Sequence, residues 1–61
     1  MTDNLKPEII EALQKIKGSS DNDFVVYEEG KILLQECVKR GDIKWSEYSI
    51  YVRELIEILS L

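Results

Sequence analysis

Cys37 is the first side chain in this sequence that could do chemistry. It is the only cysteine, and the chain contains no histidine. A reactive thiol needs an exposed, electropositive setting, and histidine is the usual activator of cysteine and serine nucleophiles. Cys37 instead falls on the apolar side of a predicted helix, which is typical of a small buried hydrophobe. We therefore predict no catalytic residue, and we expect that the chain is not an enzyme.

The acidic cluster Asp21-Asn22-Asp23 opens like a calcium-binding loop. Such a loop needs glycine at its sixth position and glutamate at its twelfth, where this chain has Val26 and Ile32. The usual sulfur and nitrogen shell of a zinc site cannot be built from one thiol without histidine. The three glycines are too far apart to form a phosphate-binding loop. We predict no metal and no cofactor, and we expect the acidic cluster to cap a helix.

Charge and hydropathy narrow the function classes further. Twelve acidic and eight basic side chains leave a net charge of −4, whereas a general nucleic-acid binder usually carries a basic face. The sequence has no signal-peptide pattern and no apolar run near the ~18 residues that a membrane span needs. Together with the single cysteine, this predicts a cytoplasmic protein with no membrane and no direct nucleic-acid partner.

Three amphipathic segments must position these side chains. The spacing of apolar residues predicts helices over about 7–17, 22–40 and 46–59. Pro7 suits the first turn of the first helix, and Gly18 is expected to end it in the left-handed conformation. Ser46 is the expected N-cap of the third helix, with Trp45 and Ile50 at the spacing of a hydrophobic staple.

The second segment is the least regular of the three. Residues 24–27, Phe-Val-Val-Tyr, would suit a strand, but no hairpin partner lies nearby. The helical wheel sorts residues 22–40 well, so a helix is preferred. Gly30 then marks either a bend or late start, or a point where another helix approaches closely.

Together these segments predict one all-α domain over residues 1–61, a small three-helix bundle or orthogonal helical cluster. Gly41-Asp42-Ile43 followed by Glu47-Tyr48 is similar to the inter-helix turn of short SHOCT-type domains. That similarity covers under half of the chain and implies a helical hairpin, without a particular function.

Four apolar residues remain on the otherwise polar sides of the predicted helices: Ile10, Val25, Ile32 and Ile50. Val25 and Ile32 are seven residues apart and would form one stripe. We interpret these residues as a candidate surface for another protein or a second copy of the chain. The predicted function is therefore a small acidic protein–protein interaction module, a regulator or adaptor that forms a homo-oligomer, most simply a homodimer.

Two alternatives stay open at this point. Carboxylates on the second and third helices could imitate phosphates, as in an acidic inhibitor of a nucleic-acid-binding protein. A tri-helical DNA-binding regulator is less favoured. The exposed side of its recognition helix would carry three glutamates against the single Arg53, and the DNA backbone would repel that face.

Overall fold

The computed structural model describes residues 5–60, which form three packed α-helices and no strand. Helix α1 spans Pro7–Gly18, α2 spans Asp23–Arg40 and α3 spans Trp45–Leu59. The all-α three-helix prediction is confirmed. Each helix begins and ends within one residue of its predicted bounds. Residues 24–27 lie in the first turns of α2, which confirms the preferred helical interpretation over a strand.

Helix α1 begins as predicted and ends differently. Lys6 occupies the N-cap position and Pro7 follows at the first helical position, where its missing N–H costs nothing. Gly18 is the last helical residue rather than a left-handed stop, since the only positive φ among residues 5–60 is that of Gly41. The end is made by Ser19, whose hydroxyl donates to the carbonyl of Ile16 at 2.9 Å.

Helix α2 carries well-formed caps at both ends. The side-chain oxygen of Asn22 accepts from the backbone N–H groups of Phe24 at 2.9 Å and Val25 at 3.3 Å, as the acidic cluster predicts. At the other end Gly41 adopts φ 85°. Its N–H donates to the Val38 carbonyl, and the N–H of Asp42 donates to that of Cys37 at 2.8 Å. These two bonds form a Schellman motif, which satisfies carbonyls that the helix leaves unpaired.

Gly30 is the point of closest approach between α2 and α3. The helix runs through it without interruption. A β-carbon at this position would lie 2.6 Å from Cδ2 of Leu55, a side chain that is fully buried. Gly30 therefore permits the close approach that the sequence suggested, and it does not mark a bend or a late start.

Helix α3 begins at Trp45, one residue before the predicted start, with Lys44 instead of Ser46 as its N-cap. The carboxylate of Glu47 reaches back and accepts from the backbone N–H of Lys44 at 2.9 Å, which determines this register. Trp45 consequently lies inside the helix and 64% exposed, so it cannot act as the residue before the cap in a staple with Ile50. Ile43 takes that position and is buried.

Long-range hydrogen bonds show how α1 lies against the α2–α3 hairpin. The backbone N–H of Lys6 donates to the buried hydroxyl of Tyr51 at 2.8 Å, and its ammonium donates to the Asp42 carbonyl at 2.6 Å. At the far end of α1, Lys17 Nζ donates to the Ile58 carbonyl at 2.9 Å. Helix α1 therefore runs in the same direction as α3, and α2 runs antiparallel to both.

The core lies where the three helices meet, and every helix contributes to it. Its buried hydrophobic residues are Ile9, Leu13, Val26, Leu34, Cys37, Ile43, Tyr51, Leu55 and Ile58. Because α1 covers one side of the α2–α3 hairpin, the opposite side of the hairpin faces solvent.

Candidate interaction surface

The structure exposes three of the four residues that the sequence selected. The exposed fractions are 37% for Val25, 56% for Ile32 and 42% for Ile50. Ile10 is half-buried and packs against the core. Helix α1 contacts both other helices, so its buried arc is wider than the wheel of one helix implies. Ile10 is therefore largely a packing residue.

The three exposed residues do not lie on one side of the molecule. Val25 and Ile32 are about 20° apart around α2 and face away from the core. Around α3, Ile50 is about 100° from Tyr51, whose hydroxyl bonds Lys6 at the start of α1, and about 140° from Leu55, which contacts α2 at Gly30. Ile50 is thus on the α1 flank of α3, and the structure separates it from the stripe on α2.

Three further exposed hydrophobic side chains lie outside the set that the sequence predicts. Phe24 is 69% exposed, Trp45 is 64% exposed and Ile56 is 48% exposed. By sequence, Phe24 belongs to the strand-like segment, Trp45 has the spacing of a staple, and Ile56 falls in the apolar arc of the third helix. Their exposure depends on how the helices pack against each other. The periodicity of a single helix carries no information about that packing.

These three side chains belong to the side of the hairpin that α1 leaves uncovered. The side-chain nitrogen of Gln35 donates to the hydroxyl of Tyr48 at 3.4 Å, which joins α2 to α3 on this side. The ring of Trp45 meets that of Tyr48 edge to face, with ring centroids 5.2 Å apart. We call this side the α2–α3 face and define it by residues that are exposed or half-buried: Phe24, Glu28, Lys31, Gln35 and Val38 on α2, and Trp45, Ser49, Val52, Ile56 and Leu59 on α3.

The α2–α3 face is poor in carboxylates, although the whole chain carries a net charge of −4. Glu28 is its one acidic residue. Lys31 lies over the ring of Tyr27, with its nitrogen 4.8 Å from the ring centroid, which is cation–π geometry. By helical periodicity the glutamates of α3 lie on the other flanks of that helix. The two exposed aromatic side chains, Phe24 and Trp45, thus lie on a face that carries one carboxylate and one ammonium group.

A half-open groove of about 320 Å³ lies between α1 and the C-terminal end of α2. Cys37 is part of its lining and is only 2% exposed, which confirms the predicted burial. The sequence did not reveal that Arg40 points at this sulfur, with Nη2 donating at 3.5 Å. The same guanidinium forms an ion pair with Asp42 at 3.1 Å, and this hydrogen bond raises the pKa of Arg40. The cation is thus engaged by Asp42, and the thiol packs as a small hydrophobe.

Comparison of the chain with protein-family models, with curated proteins and with solved structures finds no match. Within residues 5–60, no three side chains of the histidine, cysteine, aspartate and glutamate types are grouped so that they could hold a metal ion. None of the helices in this described range is long and apolar enough to cross a membrane.

Proposed function

We propose that this protein is a small helical interaction module that self-associates and acts as a regulator or adaptor. The observation that carries the proposal is the α2–α3 face, on which Phe24, Trp45 and Ile56 remain between 48% and 69% exposed. Large apolar side chains that share one exposed face are typical of a protein–protein contact. Tryptophan and phenylalanine are also among the residues enriched at such contacts.

The size of the chain supports the same proposal. A domain of about 60 residues buries only roughly 60% of the surface that its unfolded chain exposes, so its stability margin is small. Burial of one large apolar side chain contributes about 1.5–3 kcal/mol. Covering the α2–α3 face with a second copy would therefore add stabilisation that is large relative to that margin.

The test is the molar mass of the protein by light scattering behind size exclusion, over a range of concentrations at low and high salt. We expect a dimer whose population rises with concentration and survives high salt, because apolar contacts are not screened. Trp45 is the only tryptophan, so its emission reports on this face directly. The emission should shift to shorter wavelength as the dimer forms.

A monomer at every concentration, with the emission of a solvated tryptophan throughout, would overturn self-association. Association that disappears at high salt would contradict an apolar contact and would point to electrostatic binding.

A further inference from the structure

We draw no further inference here: the strongest candidate, the α2–α3 face with its exposed side chains Phe24, Trp45 and Ile56, carries nothing beyond the proposed self-association, because nothing in the structure shows what covers it.

Discussion

At the scale of single residues, Tyr51 connects the middle of α3 to the start of α1. Its ring is fully buried, and its hydroxyl accepts from the backbone N–H of Lys6 at 2.8 Å. Tyr51→Phe would leave this N–H without its partner, and we expect the free energy of unfolding to fall by about 1 kcal/mol. Urea denaturation followed by circular dichroism measures the change.

Tyr48→Phe is the matched control for this prediction. The hydrogen bond between Tyr48 and Gln35 is exposed and longer, 3.4 Å, so the loss of that bond should change stability little. Equal losses in the two variants would contradict a structural role for the Tyr51 hydroxyl.

At the scale of the helices, the distance between α2 and α3 depends on the absence of a side chain at Gly30. Alanine is favoured in helices by about 1 kcal/mol over glycine, but its β-carbon would lie 2.6 Å from a methyl group of Leu55. Leu55 is fully buried and cannot swing into solvent, and overpacking of this kind typically costs about 1–3 kcal/mol. We expect Gly30→Ala to lower the free energy of unfolding. The double variant Gly30→Ala, Leu55→Ala should lose less stability than the sum of the two single variants. The shorter side chain at position 55 leaves room for the added β-carbon at position 30.

Gly18→Ala provides the control for this prediction. Gly18 is the last residue of α1. A β-carbon added at this position would have no atom of another part of the protein within 4 Å. The substitution should leave stability unchanged or raise it by up to about 1 kcal/mol. If Gly30→Ala stabilised the protein as much as Gly18→Ala, the close approach of α2 and α3 would be wrong.

At the scale of the whole molecule, the proposed dimer couples folding to concentration. A dimer of folded chains is favoured by mass action, so its melting temperature rises with protein concentration. In a domain of this size about 1 kcal/mol shifts the melting temperature by about 4–8 °C. We expect an increase of several degrees over a hundredfold range of concentration, measured by circular dichroism. A melting temperature that does not change with the concentration of the protein would contradict a folded dimer.

The number, order and approximate bounds of the helices could be predicted from the sequence because each helix has a regular apolar period and is bounded by residues that favour helix ends. The errors at the ends have local causes. Ser46 is the better N-cap by residue type, yet the bond from Lys44 to Glu47 starts α3 one residue earlier than predicted. Gly18 suits a left-handed stop, yet Ser19 ends α1 without one. Where two end structures differ by about 1 kcal/mol, residue preference alone does not choose between them.

The exposure of individual apolar side chains was predicted less well, for a reason that lies outside any single helix. The wheel of α3 places Ile56 in the apolar arc, whereas α1 and α2 leave it 48% exposed. The wheel of α1 places Ile10 among polar residues, whereas the core takes part of it. Which edge of an apolar arc is buried depends on where two neighbouring helices lie. Val25, Ile32 and Ile50 remain predicted contact residues. Ile50→Lys and Ile56→Lys, compared by light scattering, test one part of that prediction, because the two isoleucines are similarly exposed on different flanks of α3.

Because Cys37 is buried, its rate of alkylation can report how often α1 and α2 separate in the native protein. This thiol is the only one in the chain and is 2% exposed between α1 and α2. Because only 2% of Cys37 is exposed, we expect an alkylating reagent to react mainly with molecules in which the helices have moved apart. When opening and closing are fast relative to alkylation, the labelling rate is proportional to the population of open molecules. The rate of loss of one free thiol therefore measures the free energy of that opening in the unmodified sequence, without denaturant and without an introduced label.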